Sequence, residues 1–488
     1  MVVGLLGNKS PDSNRFTLVT PKPENGVRLQ AKLGNQNPTG LPVGVVSVEE
    51  SVYIIIRIFY KDEVFMNFKS KPYTGRSVQA NMLFNTVGSI IYYFCIWLSS
   101  VLIVRMSGYA DAGIFSVAMT VTASPAIFGL FNVRAYQVSD LNGEYSDHTY
   151  IISRIWTNIF SLFICVILAV IYGYGTQPGK MAVILAYMIL KMSEAGADVY
   201  YGIYQKKARL DYAGISLTIR GVGSIATFVI AYEISKNLLL AVLLMSLFSV
   251  LVVLCYDMRI VRRFIEPEKP GQKSDFKTVM QLIVRCVPLA LVAFLNNLSL
   301  TVPRTYLEKF HGADVMGYYA SVSSPTMVIQ LAAVTLFAPL VPIITERFLE
   351  GDKKGFLKIL GKFGVLMAAL TGVAVILSIF LADWALQLVF GAGIAPYTYL
   401  FTPIMLSAAL IAVNASLFSI CTLMRIIKSQ YIIGVAGIGV AILVAFTWVK
   451  TMSMTGVIMG LFATLLVQIA IQIVLIANGV RKMTPVAE

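Results

Sequence analysis

Charge is scarce in this sequence. Only 13% of its 488 residues are Asp, Glu, Lys or Arg, against roughly 25% in soluble globular proteins, and 57% are hydrophobic. This balance excludes an ordinary soluble enzyme and a secreted disulfide-rich domain. It also counts against a nucleic-acid binder, although 39 Lys and Arg residues outnumber 25 Asp and Glu residues for a net charge of +14. The composition is typical of a membrane protein, and we expect the lipid bilayer to be its main partner.

Cysteine and histidine are also rare, and their spacing does not suggest ligands. The five cysteines each lie inside an apolar stretch without a C-x-x-C pair, and the two histidines are His148 and His311. We therefore expect no disulfide framework, no metal site and no cofactor. A G-x-x-x-x-G-K-[ST] phosphate-binding loop is missing as well, so we expect neither an ATPase nor another enzyme. The sequence leaves coupling to H⁺ or Na⁺ open.

The first 75 residues lack the pattern of a membrane segment. They are rich in Gly, Pro, Asn and Lys, and their one apolar stretch, residues 52–60, contains an arginine. That stretch is far shorter than the roughly 20 residues that a helix needs to cross a bilayer, and it lacks the features of a signal peptide. We interpret 1–75 as a disordered or non-native extension. One hypothesis is that translation starts at Met66, and a genuine disordered tail is the alternative.

From residue 80 onward, apolar segments long enough to cross a bilayer alternate with short polar breaks. They show no period-two alternation, which favours helices over a barrel. The sequence therefore predicts an all-α polytopic membrane protein with about twelve transmembrane helices. The predicted spans are 80–104, 112–133, 152–173, 181–202, 212–232, 237–256, 278–300, 314–337, 356–382, 397–421, 431–449 and 456–478.

Basic residues are distributed unevenly between the predicted loops. The loops after the even-numbered spans, together with the C-terminal tail, hold nineteen Lys and Arg residues, whereas the loops after the odd-numbered spans hold six, among them Arg304 and Lys309. Basic residues in short loops mark the cytoplasmic side of a membrane protein. We therefore expect a multi-pass protein of the cell membrane with cytoplasmic N and C termini. Topology then accounts for much of the net positive charge.

A charged linker, residues 259–277, follows the sixth span and divides the chain into two six-helix halves. We assign residues 76–265 to a first lobe and residues 266–488 to a second. After the first span of each half, two glycines and an aromatic residue recur in register, at Gly108, Gly113 and Phe115 and at Gly312, Gly317 and Tyr319. Because each half has an even number of spans, the two repeats are parallel. Such a pair is expected to enclose a central cavity whose access alternates between the two sides.

Charged side chains inside the spans are costly in lipid and are therefore candidates for function. By their spacing, Lys191, Glu194 and Asp198 share one face of the fourth helix, and Arg220 lies at a similar depth on the fifth. An ion pair between Glu194 and Arg220 is a structural interpretation of these residues. Arg285, on the seventh helix, has no acidic neighbour on its own helix. We expect it to face the cavity and to bind a phosphate or pyrophosphate group, with a contact to lipid headgroups as the alternative.

Neutral polar residues on the predicted spans suit hydrogen bonds to sugar hydroxyls, or contacts between helices. They are Asn81, Asn85, Asn296, Asn297, Gln330 and Asn414. Two prolines, Pro125 and Pro325, lie on the second helix of each half, where they would permit bending.

Two sequence motifs resemble those of polysaccharide flippases of the multidrug/oligosaccharidyl-lipid/polysaccharide superfamily, the O-antigen and capsule repeat-unit type. Arg134-x-Tyr136-Gln137-x-Ser139-Asp140 resembles that family's motif after the second span. Asp198-x₃-Gly202-x₂-Gln205-x₃-Arg209-x-Asp211-x₂-Gly214 resembles its loop between spans four and five. The resemblance covers residues 76 to 480.

The resemblance implies a flippase that moves an undecaprenyl-pyrophosphate-linked oligosaccharide from the inner to the outer leaflet of the cell membrane. It also implies a lipid-linked glycan as substrate and a polysaccharide polymerase or export machinery as partner. The candidate substrate-binding residues are Arg285, Arg220, Lys191, Glu194, Asp198, Arg134, Asn296 and Asn85.

Two other functions remain open at this point. A cation-coupled multidrug exporter of the same superfamily would typically carry an acidic residue in its first helix, and residues 78–104 contain none. A membrane polymerase or ligase of lipid-linked glycans usually needs a large external loop or an acidic cluster, whereas the external loops predicted here are short.

Overall fold

Helices form most of the described structure, and many of them are long and apolar. A computed structural model describes residues 78–140, 143–268, 272, 274–337 and 340–483, and no strand occurs among them. The predicted extension, residues 1–75, lies outside these residues. The helices are α1 (Val78–Ser107), α2 (Tyr109–Leu130), α3 (Val133–Ser139), α4 (Asp147–Ile171), α5 (Pro178–Lys206), α6 (Leu210–Ser235), α7 (Leu238–Val252), α8 (Met258–Val261), α9 (Phe276–His311), α10 (Ala313–Ser323), α11 (Met327–Phe337), α12 (Leu340–Leu349), α13 (Lys353–Phe390), α14 (Phe401–Leu423), α15 (Ile427–Val444) and α16 (Lys450–Lys482).

These helices confirm the predicted fold class. Within the described residues, nine helical stretches are long and apolar enough to cross a membrane. Helix α5, the fourth predicted span, is not among them because it carries three or more charged residues in every 18-residue window. The eighth predicted span is broken into the shorter helices α10 and α11, which flank a 3₁₀ turn at Ser324–Thr326.

The last of the nine stretches, Ile427–Lys482, contains two antiparallel helices. The chain turns at Ser453, whose backbone φ of 55° and ψ of −128° are not helical. Residues on the two sides of this turn meet, because a Cβ added to Gly437 would lie 2.2 Å from Gln468 and one added to Gly460 would lie 2.2 Å from Val444. The stretch therefore supplies the eleventh and twelfth predicted spans.

The two halves of the chain repeat the same helix pairing. In the first half, α1 packs on α6 so closely that a Cβ on Gly88 would lie 2.2 Å from the carbonyl oxygen of Gly214. In the second half, α9 packs on α15, where Gly434 lies against Leu295 and Gly437 against Ser299. Small residues let helix backbones approach closely in membrane proteins. The described residues form one compact unit, so the lobe boundary at residues 265 and 266 stays a prediction.

The helix ends lie at two ends of the bundle. Hydrogen bonds join Asn81 to Ala208, Gln272 to Gly143 and Lys353 to Arg481 at what we call the basic end, which carries most of the loop Lys and Arg residues. At the opposite end, the Arg105 Nε donates to the Val389 carbonyl and His311 bonds the Val449 carbonyl. The structure thus groups the loops as the count of basic residues predicted.

Helix α9 departs from its predicted bounds, 278–300. It continues through Pro303 to His311, a length of 36 residues. Arg304, which was predicted to lie in an external loop, therefore lies within α9, one to two turns from its end. The prediction for Arg304 was wrong because proline and arginine in an apolar sequence resemble a loop, whereas packing against neighbouring helices keeps them helical.

Candidate functional site: the central cavity

A cavity of about 410 Å³ lies between the two halves. Its walls come from α1 and α2 of the first half and from α9, α10, the turn after α10 and α11 of the second, with one residue of α14. Many of the lining side chains are polar: Ser100, Ser116, Thr120, Asn297, Thr301, Arg304, Ser323, Ser324, Thr326 and Gln330. Arg304 is the one charged residue among the lining residues that the structure describes.

Arg304 has no counterion in this cavity. Its Nε atom is buried without a hydrogen-bond partner, and no ion pair of the described residues includes it. A cation in a low-dielectric site attracts anions strongly when no protein carboxylate neutralises it. The planar guanidinium also suits two oxygens of one phosphate group. The positive charge of Arg304 therefore makes the cavity suitable for an anion, and its other polar side chains suit hydroxyl groups.

The repeated glycines close the cavity at the opposite end. A Cβ on Gly113 would lie 1.8 Å from the carbonyl oxygen of Ala313, and one on Gly317 would lie 2.0 Å from that of Tyr109. The glycines that precede them are also equivalent, since Gly108 and Gly312 have φ values of 88° and 91°, a conformation that favours glycine. The repeat found in the sequence is thus the crossing point of α2 and α10.

Aromatic and charged side chains reinforce this seal. The rings of Tyr109 and Tyr318 stack with centroids 4.0 Å apart, and Tyr397 lies 4.4 Å from Tyr318. Beside them, the buried carboxylate of Glu308 on α9 binds Lys180 of the first half and accepts a hydrogen bond of 2.8 Å from the Tyr174 hydroxyl. The two halves are therefore joined at the opposite end by backbone contact, ring stacking and an ion pair.

Arg285 does not lie in the central cavity. It is at the basic end of α9, its side chain is 46% exposed, and it pairs with Glu144 of the first half. Its Nη1 also donates to the Tyr136 hydroxyl at 3.0 Å, and its guanidinium lies over the ring of Tyr145, whose pKa burial raises to about 12. The expectation of an unpaired arginine was wrong because the partner comes from another element. The contact joins the halves at the basic end.

At the basic end, the contacts between the halves run through α9 or the linker before it. They include the Arg285 contacts, the hydrogen bond of Ser146 with Ser274, and the rings of Trp156 and Phe276, 5.3 Å apart. At the opposite end, the halves meet through the crossing of α2 and α10, the stacked tyrosines and the contacts of Glu308.

The two resemblance motifs pack against each other near the basic end. Arg134 bonds Asp198 at 3.3 Å and the side-chain oxygen of Gln205 at 3.0 Å, while the buried Arg154 holds the other oxygen of Asp198 at 2.6 Å. Gln137 lies against Gly202, where a Cβ would meet its side-chain oxygen at 2.0 Å. Arg134 and Asp198, both predicted to bind substrate, are therefore partners in a structural clamp between α3, α4 and α5.

A second polar network lies inside the first half. Glu194 pairs with Lys191 at 3.0 Å and accepts a hydrogen bond of 2.6 Å from Tyr92. Arg220 is buried among hydroxyl groups, and its Nε donates to Ser249 at 3.1 Å. The predicted ion pair between Glu194 and Arg220 is wrong, since within the described residues Glu194 pairs with Lys191. Tyr92 connects the two residues, because the Arg220 guanidinium lies 5.5 Å from its ring.

The predicted asparagines divide between the cavity and the helix contacts. Asn297 lines the cavity and accepts a hydrogen bond from Ser124 at 2.9 Å. Its neighbour Asn296 accepts one from Asn414 at 3.3 Å, within the second half, and Asn85 lies on α1 beside Gly214 of α6. Gln330, another polar residue suited to sugar hydroxyls, also lines the cavity. None of the eight candidate substrate-binding residues is among the residues that line this cavity.

The residue that sequence reasoning missed is Arg304. The signal that could have found it is its spacing on α9, because Asn297, Thr301 and Arg304 follow one another at intervals of four and three residues and so share a helix face. Extending the seventh span by about one turn would have placed Arg304 on that polar face.

Comparisons with known proteins agree with this architecture. A family model described as "Polysaccharide biosynthesis protein" matches residues 78–348, more than half of the chain. The capsular polysaccharide biosynthesis protein CapF of Staphylococcus aureus is 27% identical over 311 residues, which cover 64% of this chain and 77% of that protein.

Solved structures show the same fold at low sequence identity. The eukaryotic MATE transporter AtDTX14 has a TM-score of 0.56 at 14% identity, with 83% of this chain and 98% of that chain covered. A MOP superfamily transporter from Pyrococcus furiosus, whose binding pocket is described as having reverse polarity, has a TM-score of 0.54 at 12% identity, with 84% and 99% covered. The chain belongs to the polysaccharide biosynthesis protein family and has the all-helical fold of MATE transporters.

Proposed function

We propose that this protein is a flippase that moves an undecaprenyl-pyrophosphate-linked polysaccharide repeat unit from the inner to the outer leaflet of the cell membrane. The observation that carries the proposal is Arg304, an arginine without a counterion in a cavity between two halves of a transporter fold. The pyrophosphate group offers the oxygens that a guanidinium binds in bidentate fashion. The lipid tail stays in the bilayer while the headgroup passes through the cavity.

The other lining residues support a sugar headgroup. Serine and threonine hydroxyls and the amides of Asn297 and Gln330 offer both donors and acceptors. The cavity volume of about 410 Å³ falls within the roughly 300–1,000 Å³ typical of small-molecule sites. A repeat unit of several sugars therefore needs the cavity to widen, which a rocking motion of the two halves supplies.

The distribution of charge supports the direction of loading. We place the basic end and both termini in the cytoplasm, because basic loops stay on that side of the membrane. The seal of Gly113, Gly317 and the tyrosines then closes the cavity toward the outside. The headgroup enters from the cytoplasm, and a polysaccharide polymerase receives it after release into the outer leaflet. Transport needs no ATP in this scheme, and H⁺ or Na⁺ is the candidate driving ion.

The two rival functions fit the site less well. A cationic drug would be repelled by Arg304, and no carboxylate lies among the cavity-lining residues that the structure describes. A membrane polymerase or ligase would need reactive residues in an external loop, whereas Arg304 lies on α9 inside the bundle.

A complementation experiment tests the proposal. Cells that lack this protein receive the wild type, Arg304→Gln, Arg304→Lys or the matched control Lys309→Gln, an exposed cation on the same helix. Surface polysaccharide, accumulated lipid-linked repeat unit and protein level are measured. We expect Arg304→Gln to lower export at least about tenfold, the loss of roughly 1.4 kcal/mol or more of binding, with partial recovery by lysine. Normal export by Arg304→Gln at normal protein level would contradict the proposal.

A further inference from the structure

Glu308 lies one helical turn from Arg304 on α9. The two residues are spaced i and i+4, so their side chains emerge from the same face of the helix with Cβ atoms about 6 Å apart. Arg304 has no carboxylate partner among the described residues. Glu308 is 3% exposed, yet its side chain binds the first half and leaves Arg304 unpaired.

Both partners of Glu308 belong to the first half. Its Oε1 binds the Lys180 ammonium group of α5, and its Oε2 accepts the hydrogen bond of 2.8 Å from Tyr174, in the 3₁₀ turn before that helix. When the halves separate at the opposite end, Glu308 loses both contacts at once. A buried carboxylate without a partner is strongly unfavourable, so it must acquire another cation or water.

We propose that Glu308 promotes release of the anion from the cavity. When the opposite end opens, Glu308 leaves Lys180 and pairs with Arg304 instead. In the closed state Lys180 and Tyr174 hold Glu308 away, and Arg304 is free to bind an anionic headgroup. In the open state Glu308 pairs with Arg304 and competes with the anion for it. The affinity of Arg304 for the pyrophosphate group thus falls on the side where the headgroup must leave.

The exchange couples release of the anion to the opening of the opposite end, whereas the driving ion sets the direction of net transport. A ligand and a conformational change are coupled when the ligand binds one state more tightly than the other. In this protein the difference in affinity comes from Glu308, whose carboxylate neutralises Arg304 in the open state only. The cation next to Glu308 in sequence, Lys309, is exposed and lies over the ring of Tyr306. Arg304 is therefore the cation that already faces the cavity.

This inference rests on the proposed function, and binding of inorganic pyrophosphate to the full-length protein in nanodiscs tests the two separately. The variants are Lys180→Ala, Glu308→Gln, their double mutant, and Arg304→Gln, at constant ionic strength. Lys180→Ala frees Glu308 to compete for Arg304, so we expect binding to weaken at least about threefold. Glu308→Gln should bind at least as tightly as the wild type.

The double mutant separates local exchange from a general effect of charge. If Lys180 acts through Glu308, then Lys180→Ala has no further effect in the Glu308→Gln background. Additive effects on pyrophosphate affinity would mean that Lys180 acts only through its own positive charge. If both single variants changed the affinity equally and in the same direction, the ion pair would serve only to hold the two halves together. Either result overturns the exchange. Lys309→Gln is the matched control for loss of a nearby positive charge.

Tyr174→Phe provides a second route if Lys180→Ala fails to fold. It keeps the ring and removes the hydroxyl that holds Oε2 of Glu308, so it should weaken binding in the same direction by a smaller factor. No weakening in this variant would also contradict the exchange. If the wild type does not bind pyrophosphate, or Arg304→Gln binds it as well as the wild type, the proposed anion site itself is wrong.

Discussion

Two arginines on helix α9 have opposite surroundings. Arg285, at the basic end, is 46% exposed and pairs with Glu144 and Tyr136. Arg304, in the central cavity, has a buried Nε without a partner. The same side chain is thus a contact between the halves at one position and an available cation at the other. Whether an arginine can bind a ligand depends on the side chains that other helices and loops pack around it. The neighbours on its own helix do not show this.

The largest expected effect separates these two arginines. We expect Arg304→Gln to reduce transport at least about tenfold and Arg285→Gln to leave it within about twofold, because an exposed ion pair contributes little. Transport is measured as flipping of a lipid-linked repeat unit in proteoliposomes that contain equal amounts of each variant. Equal losses from both substitutions would erase the distinction and return Arg285 to the site.

A second comparison sets the motif clamp against the cavity. The clamp residues Arg134 and Arg154 both pair with Asp198, so we expect all three to stabilise the fold. Asp198→Asn leaves the buried Arg154 without its charge partner and should lower the free energy of unfolding by about 3 kcal/mol. Thermal unfolding of the purified protein measures this loss.

The control for the clamp is Lys207→Gln, which removes an ion pair with the exposed Glu266. It should change stability by less than about 1 kcal/mol. If Asp198→Asn instead unfolds like the wild type and loses transport, Asp198 belongs to the substrate site and its structural assignment is wrong.

The glycine crossing of α2 and α10 closes the cavity at the opposite end, and Gly113 tests that closure. A Cβ at this position would lie 1.8 Å from the Ala313 carbonyl oxygen, so Gly113→Ala should force α2 and α10 apart. In a Cys255→Ser background, we expect a cysteine at cavity position Ser323 to react several-fold faster with an impermeant maleimide added outside.

Gly372→Ala is the matched control, since an added Cβ there meets nothing within 4 Å. Its labelling rate should equal that of the parent. A rate for Gly113→Ala no faster than this control would show that the glycine crossing does not close the cavity.

The smallest expected effect concerns the network inside the first half. A double-mutant cycle of Lys191→Met and Glu194→Gln should give a coupling energy of about 1 kcal/mol, because the two side chains are in direct contact. The cycle of Glu194→Gln with Arg220→Met should give less, since Tyr92 separates them. Stability is measured by thermal unfolding, and a larger second coupling would favour the ion pair predicted from sequence.

Much of the fold could be predicted from the sequence because its signals are local. The lengths of the apolar segments predicted the membrane spans, and the glycine repeat at Gly113 and Gly317 marked the point where the halves cross. The broken eighth span, α10 and α11, was harder to predict, because Pro325 indicates a bend but not a division into two helices.

The site was harder to predict because it depends on contacts between distant segments. Glu144 is far from Arg285 in sequence, and nothing local indicates that they pair. Similar depth in the membrane pointed to an ion pair between Glu194 and Arg220, but Glu194 pairs with Lys191, one turn away on its own helix. Arg304 was assigned to a loop because the end of α9 was placed too early.

The location of the bound headgroup tests the central claim most directly. A pyrophosphate-linked lipid that carries a photoreactive group on its first sugar can be crosslinked to the wild-type protein in nanodiscs and mapped by mass spectrometry. The account predicts crosslinks to cavity residues of α1, α2, α9, α10 and α11, such as Ser100, Thr120 and Gln330, and their loss in Arg304→Gln. Crosslinks confined to the rim at Tyr136, Glu144 and Arg285, unchanged in Arg304→Gln, would contradict it.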